Sequence, residues 1–181
     1  LLVGATADYP IVRDAAVADG RFLNDGDVDR SAKVAVLGQA VAEELFQDGN
    51  ALGQVITVGS TKLTVVGVMA EKGTLADTDY DNRLYAPLTL VFDKFSRSPM
   101  AAMIGESLRT LYVKAETQET MDSAIGQITT LLNRRHNITD EADFTIQTQD
   151  DIIQTRQETS SSFRSLLAWV GAVSLVVGGI G

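Results

Sequence analysis

The sequence predicts an α+β protein that ends in a membrane helix, and three features of the chain favour this class. Two apolar, β-branched segments, Gln54 to Val58 and Lys62 to Val68, flank Gly59-Ser60, which predicts a β-hairpin with a two-residue turn. Apolar residues further along have the spacing of one helix face: Met121, Ile125, Ile128 and Leu132. The final stretch, Leu166 to Gly181, is apolar and carries no charge.

Short strands and helices are expected to alternate around the hairpin. Leu1 to Thr6 and Lys33 to Leu37 have the composition of strands, and Gly38 opens a helix. The apolar face of that helix consists of Val41, Leu45 and Phe46. Glu71 to Asn82 is polar and acidic, which predicts an exposed loop.

The middle of the chain is expected to contain two strands, a helix and a loop. A strand from Leu84 to Ala86 ends at Pro87, because proline donates no ladder hydrogen bond, and a helix from Leu88 to Phe95 follows. Ser96 to Ser107 lacks periodicity, which indicates a loop where the chain crosses between subdomains. Leu108 to Ala115 is a predicted strand.

Side chains are expected to close both ends of the helix that carries the apolar stripe. Thr117 can cap its N-terminus by accepting a hydrogen bond from a backbone N–H. Arg134, Arg135 and His136 place donors and positive charge beside the unpaired carbonyls of the last turn. A strand from Phe144 to Gln147 follows.

The apolar run from Leu166 to Gly181 is predicted to be the start of a transmembrane helix, although it is slightly shorter than the usual threshold of about 18 uncharged residues. We expect the chain to stop within that helix. Trp169 lies near the polar end, where indole rings prefer the interface, and Ser174 and Gly178 have the spacing of small residues at helix contacts. The membrane-helix candidates are Trp169, Gly171, Ser174, Gly178, Gly179 and Gly181. The alternative is a buried helix of a soluble domain, which each glycine would weaken by about 1 kcal/mol.

The residues before this run are predicted to form a helix that couples the folded domain to the membrane. Helical character begins at Asp150, and Thr148 and Asp151 have the spacing of a capping box. A continuous helix of about 30 residues, rising about 1.5 Å per residue, would transmit motion rigidly. The alternative is a flexible joint at Ser160 to Ser162, since serine is a weak helix former. The coupling-helix candidates are Asp151, Ile152, Ile153 and Phe163.

Composition and motifs exclude several classes of function. The net charge of −9 would repel a nucleic-acid backbone and no stretch gathers basic residues, so nucleic acid is not an expected partner. The absence of cysteine excludes disulfides, thiolate metal sites and thiol nucleophiles. No glycine-rich phosphate-binding motif follows a strand, so any ATPase is expected on a separate domain or subunit. We therefore expect a protein that is not an enzyme and assign it no catalytic residue, cofactor or metal site.

Two triplets of alternate aspartates match ligand positions 1, 3 and 5 of an EF-hand calcium loop: Asp25, Asp27, Asp29 and Asp77, Asp79, Asp81. Position 6 of that pattern holds Arg30 or Asn82 where glycine is needed. Position 12 holds Val36 or Leu88 where glutamate is needed. We interpret both triplets as solvated acidic loops. The single histidine, His136, has no partners for a catalytic or metal site and is interpreted as a helix-end cation.

The charges beside the apolar run favour a position outside the cytoplasm. Asp150 to Arg164 carries two arginines against three acids, fewer positive charges than a cytoplasmic flank usually has. The domain is therefore expected on the extracytoplasmic side of the cell membrane.

Several short segments along the chain form an ordered pattern. The first are Gly20 to Leu23 (GRFL), Ala35 to Gly38 (AVLG) and Glu44 to Phe46 (ELF). The later ones are Leu52-Gly53-Gln54, Val66-Gly67-Val68, Tyr85 to Leu88, Leu131 to His136 and Ser174 to Gly181. In this order and spacing, over nearly the whole chain, they resemble the periplasmic core of the MacB-type permeases, ABC transporters related to FtsX.

The resemblance implies a permease half with four transmembrane helices, which works as a homodimer with cytoplasmic ABC ATPase domains or subunits. It also implies a location in the inner membrane and leaves a periplasmic adaptor protein open. The implied fold has two mixed α/β subdomains, one discontinuous and one inserted, on a membrane-proximal helix. We assign 1–30 and 105–149 to the discontinuous subdomain, 31–104 to the inserted β-rich subdomain and 150–181 to the helix. The loop 96–107 departs from the family pattern, which leaves partner specificity open.

Two functions are consistent with these features. In the first, mechanotransmission, ATP hydrolysis in the cytoplasm moves the transmembrane helices, and the helix from Asp150 transfers that motion to the outer domain for export or efflux. In the second, the domain senses a peptide or antibiotic and reports through the same helix. An extracytoplasmic hydrolase would need a matched nucleophile and base, which the sequence does not offer.

Overall fold

The structure is a computed structural model that describes residues 1–47, 49–75, 78–95, 108–138, 142–148, 163–171 and 174. The chain divides into two compact units, Leu1–Lys114 and Ala115–Gly181, which we call the first and the second unit. Each unit is described by itself below.

The first unit contains eight strands and four helices among its described residues. The strands are β1 (Leu2–Ala5), β2 (Val17–Gly20), β3 (Val34–Leu37), β4 (Val55–Val58), β5 (Thr61–Met69), β6 (Thr74–Leu75), β7 (Thr78–Asp79) and β8 (Leu84–Pro87). The helices are α1 (Tyr9–Arg13), α2 (Asp25–Asp29), α3 (Gln39–Leu45) and α4 (Leu88–Phe95). The strands predicted near residues 1, 33 and 84 and the helices predicted after Gly38 and Pro87 are confirmed.

A mixed six-stranded sheet forms the framework of the first unit. Its strand order is β1-β8-β3-β5-β2, with β4 paired to β5 beside this path. Strand β1 runs parallel to β8 and β3 runs parallel to β5. Strands β2 and β4 run antiparallel to β5, and β3 runs antiparallel to β8. Strands β6 and β7 form a separate two-stranded sheet.

The predicted β-hairpin is present as β4 and β5. Val58 pairs with Thr61, so Gly59 and Ser60 form the two-residue turn. Gly59 has a φ of +58°, a left-handed conformation that glycine adopts without steric cost. Along the start of β5, Leu63 is buried while its neighbours are exposed, as the alternating pattern predicts.

The sheet is buried on both of its faces. Adjacent residues of β3 belong to different core clusters, because Leu37 packs in one and Val36 packs in the other. The same holds in β8, where Ala86 and Tyr85 separate in the same way. Burial on both sides explains why β3 is a continuous apolar run rather than an alternating one.

Close backbone contacts at two points of the first unit require glycine. A Cβ atom at Gly67 in β5 would overlap the backbone of Arg21. A Cβ atom at Gly38, which precedes α3, would overlap the backbone of Asp81. Both glycines belong to the sequence pattern described above, so that pattern reflects the packing of backbone against backbone.

The described part of the second unit is dominated by one long helix. A 3-10 turn at Gln118–Thr120 leads into helix α5 (Met121–His136), which confirms the helix predicted from the apolar stripe. The C-cap of this helix is Asn137, which has a left-handed φ of +54°. The predicted capping role of Thr117 is wrong, because its hydroxyl faces the hydroxyl of Thr120 at 3.3 Å rather than a backbone N–H.

Two predicted strands are wrong. Residues 108–115 and 144–147 contain no strand, and neither segment pairs with a described strand. A strand is stabilised by its ladder of hydrogen bonds to a neighbour, so the apolar, β-branched composition of these segments is not sufficient.

The predicted exposed loop from Glu71 to Asn82 is more ordered than its composition indicates. It contains the β6–β7 hairpin, and Tyr80 directly after it is only 5% exposed. A single buried aromatic ring anchors this otherwise polar segment to the core, and the averaged composition of the loop conceals it.

The predicted division of the first part of the chain also differs from the structure. Strands β1 and β2, from the segment 1–30, pair with β8 and β5 of the segment 31–104 in one sheet. Because main-chain ladders join them, these two segments belong to the same compact unit.

Residues 163–171 and residue 174 are helical. Within the described ranges, no helix combines the length and the apolar character needed to cross a membrane. Most of the predicted coupling helix lies outside the described residues, as do 172–173 and 175–181 of the predicted membrane helix.

Candidate functional site

The first acidic triplet forms a short helix instead of a solvated loop. Asp27 is 4% exposed and lies in the first turn of α2. Its Oδ2 accepts a hydrogen bond from Arg21 Nη1 at 2.6 Å and another from the Asn24 backbone N–H at 3.1 Å. The Asn24 side chain in turn accepts from the Asp27 N–H at 2.9 Å, which completes a capping box.

These contacts set the ionisation of Asp27. Burial works against the charged form, but the hydrogen bonds from Arg21 and from the Asn24 N–H outweigh it, so the pKa of the Asp27 carboxyl lies below its usual value. The carboxylate is therefore a fixed structural anion, not a calcium ligand awaiting a metal. The neighbouring Asp25 and Asp29 are exposed.

The second acidic triplet stabilises turns of the chain. The Asp79 carboxylate accepts from the backbone N–H groups of Asp81 and Asn82 at 3.0 and 3.1 Å. The Asp81 carboxylate accepts from the N–H groups of Lys72 and Gly73 at 2.8 and 2.7 Å. Both acids thus bind backbone donors, as aspartates in turns commonly do. Asp77 lies outside the described residues.

Three cations surround the ring of Tyr80. Arg13, Lys72 and Arg83 lie 5.6, 5.3 and 5.0 Å from its centroid, within the range of cation–π attraction. Arg13 also donates a hydrogen bond to the Tyr80 hydroxyl. Lys72 Nζ donates to the carbonyls of Arg13 and Asp14 at 2.6 and 2.8 Å, at the C-terminal end of α1. The cluster therefore fixes the β6–β7 region to α1.

A second set of aromatic rings lies beneath α1. The Tyr9 ring lies 5.9 Å from Phe22 and 5.1 Å from Tyr85. Burial raises the pKa of the Tyr85 phenol well above its usual value, and the neighbouring Tyr9 raises it further, so the phenol stays neutral. The arrangement anchors α1 in the core and offers no general base.

Helix α5 ends in a polar contact. His136 Nδ1 lies 2.9 Å from the carboxylate of Asp143, in agreement with its interpretation as a helix-end group. In the parts of the chain that the structure covers, no cluster of three or more histidine, cysteine, aspartate or glutamate side chains is placed to hold a metal ion.

The described candidates for the coupling and membrane helices lie on the helical segment 163–171 or at residue 174. Phe163 and Trp169 are 63% and 72% exposed in this chain. Gly171 is helical with nothing near its missing Cβ, and the Ser174 hydroxyl donates to the Val170 carbonyl at 2.8 Å. The remaining candidates lie outside the described residues: Asp151, Ile152, Ile153, Gly178, Gly179 and Gly181.

The sequence interpretation missed the contacts of Arg13, Tyr80 and Tyr112. The Arg13 guanidinium carbon lies 4.3 Å from the Tyr112 ring centroid, so this cation contacts two tyrosines from distant parts of the chain. Tyr80 lies in a segment predicted to be a polar loop, and Tyr112 lies in a segment predicted to be a strand. Neither pattern indicates a contact with Arg13.

The family model of the MacB-like periplasmic core domain matches residues 1–131 of this chain. The chain belongs to this family. It is thus an extracytoplasmic domain of a MacB-like ABC transporter permease, as the ordered sequence pattern predicts.

Relatives of this MacB-like domain include proteins named as exporters. The chain is 32% identical over 184 residues to the macrolide export ATP-binding/permease protein MacB of Bdellovibrio bacteriovorus, with 99% of this chain and 27% of that protein covered. It is 29% identical over 181 residues to the pyoverdine export ATP-binding/permease protein PvdT of Pseudomonas aeruginosa, with 98% and 26% covered. The chain therefore spans about a quarter of the length of these relatives.

The fold of the MacB-like domain is also that of a solved structure. The crystal structure of the periplasmic region of MacB from Actinobacillus actinomycetemcomitans matches with a TM-score of 0.64 at 26% identity. The match covers 86% of this chain and 64% of that one. The predicted α+β class is confirmed by this likeness.

Proposed function

We propose that this MacB-like domain transmits motion: ATP hydrolysis on another domain or subunit moves the transmembrane helices, and the domain converts that movement into work outside the membrane. Its relatives are named export ATP-binding/permease proteins, which supports a role in export. In this proposal the domain itself catalyses no reaction and needs no cofactor.

The observation that carries the proposal is the construction of the first unit. Its sheet is buried on both faces, and Gly67 brings the backbone of β5 close to the backbone of Arg21. Such a densely packed body resists deformation and moves as one piece. A domain that moves as one piece is suited to transmit force, since little movement is lost inside it.

The proposal includes the surroundings of the domain. The full-length permease forms a homodimer in the inner membrane, with this domain on the periplasmic or extracellular side and ABC ATPase domains or subunits in the cytoplasm. A periplasmic adaptor protein is a further partner of the permease in this proposal. The predicted helix from Asp150 connects the domain to the bilayer.

The comparisons support a common transport step rather than one substrate. The two named relatives match this chain at 32% and 29% identity, and their names refer to two chemically different cargoes, a macrolide and pyoverdine. We therefore propose export as the function and leave the cargo unassigned.

Cross-linking in the full-length protein tests this proposal. The present chain contains no cysteine, so a single cysteine at Ser160 can form a disulfide only with its copy in the second protomer or with cysteines elsewhere in the protein. We expect the yield of the cross-protomer disulfide in lipid vesicles to change when ATP is added. A variant whose ATPase cannot hydrolyse ATP is the matched control and is expected to remain in the ATP-bound pattern.

The competing function, sensing, predicts a different result. A sensor of peptides or antibiotics would change its cross-linking yield on addition of such a ligand without nucleotide. That outcome, together with indifference to ATP, would contradict the proposed transmission of motion.

A further inference from the structure

The first unit ends in a segment without helix or strand, 108–114, after which the chain enters the second unit. This segment pairs with no strand among the described residues, so no main-chain ladder fixes it to the sheet. A segment without such hydrogen bonds behaves as a flexible tether unless its side chains are held. The contacts of its side chains therefore decide whether movement can pass through it.

Alternate side chains of this segment hold it to α1. The Tyr112 ring centroid lies 4.3 Å from the Arg13 guanidinium carbon and 6.3 Å from the Tyr9 ring in an edge-to-face arrangement. Lys114 Nζ donates a hydrogen bond to the Ile11 carbonyl at 3.2 Å. Tyr112 and Lys114 are two residues apart, and both contact residues of α1.

The neighbouring apolar side chains of the segment are largely exposed. Leu111 and Val113 are 63% and 56% exposed. Tyr112, which contacts α1, is 44% exposed, so Leu111 and Val113 extend somewhat further into solvent than it does.

Helix α1 is in turn fixed to the core. Its first residue, Tyr9, packs against Phe22 and Tyr85, and its last residue, Arg13, is hydrogen-bonded to Tyr80. A displacement of Tyr112 is therefore passed through α1 to the sheet, because α1 is anchored in the core.

We propose that residues 108–114 are a clasp through which movement of the second unit reaches the first, with Tyr112 and Lys114 as the gripping side chains. The clasp rests on the proposed transmission of motion and names the place where that motion enters the first unit. Tyr112 and Lys114 are positioning residues, since neither has a chemical role.

Distance measurements in the full-length protein test the clasp. Spin labels are attached at Lys62, an exposed residue of β5 in the first unit, or at Gln127, an exposed residue of α5 in the second unit. Pulsed electron paramagnetic resonance then measures the distance between the two copies of each label in the proposed homodimer, with and without ATP. In the unmodified protein we expect ATP to change both distances.

The variant Tyr112→Leu removes the ring but keeps an apolar side chain. We expect it to lose the ATP-dependent change at Lys62 and to keep the change at Gln127. Tyr112→Phe keeps the aromatic face towards Arg13 and should behave as the unmodified protein. Leu111→Ala replaces an exposed side chain of the same segment and is the matched control. It should also retain the ATP-dependent distance changes at both labels. Lys114→Met, at the exposed end of the segment, is expected to reduce the ATP-dependent distance change at Lys62. This variant provides the test if Tyr112→Leu does not fold.

The outcomes separate the clasp from the function on which it rests. Full changes at both labels in Tyr112→Leu and in Lys114→Met would overturn the clasp and leave the transmission of motion standing. No ATP-dependent change at either label in the unmodified protein would overturn the transmission of motion, and the clasp with it.

Discussion

Individual buried polar residues fix the local geometry of the first unit. Asp27 illustrates this, because its carboxylate is satisfied by Arg21 and by the N-cap of α2 although it belongs to a triplet that looks solvated in the sequence. The sequence shows the i, i+3 spacing of Asn24 and Asp27, which is a capping signal, but the alternate aspartates obscure it. Which of three similar acids is buried depends on the packing of α2, and spacing alone does not determine it.

Replacement of Asp27 by alanine should destabilise the domain. Asp27→Ala removes the reciprocal half of the capping box and leaves Arg21 without its ion-pair partner. We expect the free energy of unfolding to fall by about 1–3 kcal/mol. Urea denaturation followed by circular dichroism measures the change.

The matched control for this substitution is Asp29→Ala, an exposed acid of the same helix. It should change the free energy of unfolding by no more than about 0.5 kcal/mol. Equal effects of the two substitutions would show that the Asp27 contacts contribute nothing specific.

The lowered pKa of Asp27 predicts a dependence of stability on pH. A carboxyl whose pKa is lower in the folded than in the unfolded state stabilises the fold fully above its unfolded pKa, which is about 3.9. This contribution is lost as the pH falls through the lower, folded pKa. The difference in unfolding free energy between the unmodified chain and Asp27→Asn should therefore shrink between pH 7 and about pH 3. A difference that stays constant over this range would mean that the ionised form of Asp27 is not favoured by folding.

Secondary-structure elements are predictable here where local pattern and tertiary pairing agree. The β4–β5 hairpin and helix α5 have strong local signals, and both occur as predicted. The segment 108–114 has the composition of a strand but has no partner strand among the described residues. Strand partners are a property of the whole fold that composition cannot supply. The contact of Tyr112 with Arg13 is unpredictable for the same reason, since it joins residues far apart in the chain.

Two glycines in different elements should respond in opposite directions to replacement by alanine. Gly67→Ala places a Cβ against the backbone of Arg21 in the centre of the sheet, and we expect it to destabilise the domain by about 1–3 kcal/mol or more. Gly126→Ala is the matched control, because Gly126 lies within α5 with nothing near its missing Cβ. It should stabilise α5 by about 0.5–1 kcal/mol. Thermal denaturation of both variants measures these effects, and a neutral Gly67→Ala would contradict the close approach of β5 to Arg21.

At the scale of the whole molecule, the family and the α+β class follow from the ordered sequence pattern, whereas the grouping of segments does not. The pairing of β1 with β8 and of β2 with β5 brings residues 1–30 into one sheet with later segments. Pairing between strands so distant in the chain leaves no local signal. The predicted membrane helix from Leu166 stays a prediction that requires lipid to test.

Fluorescence of the single tryptophan provides that test. In lipid vesicles that contain this chain, we expect emission from Trp169 to shift to shorter wavelength and to be quenched by brominated lipids, since an indole at the interface contacts lipid. The control is the double variant Trp169→Phe, Leu45→Trp, which moves the tryptophan to an exposed position in the first unit. Emission from Trp169 that matches this control would argue against insertion of the helix.

The most direct test of the transmission of motion is the distance between the two Lys62 positions in the full-length permease, measured in lipid vesicles through one cycle of ATP binding and hydrolysis. We predict that this distance changes when ATP binds and returns to its starting value after hydrolysis, without any added cargo. A distance that is constant through the cycle, while the ATPase turns over, would contradict the claim that this domain carries movement from the cytoplasm to the outside.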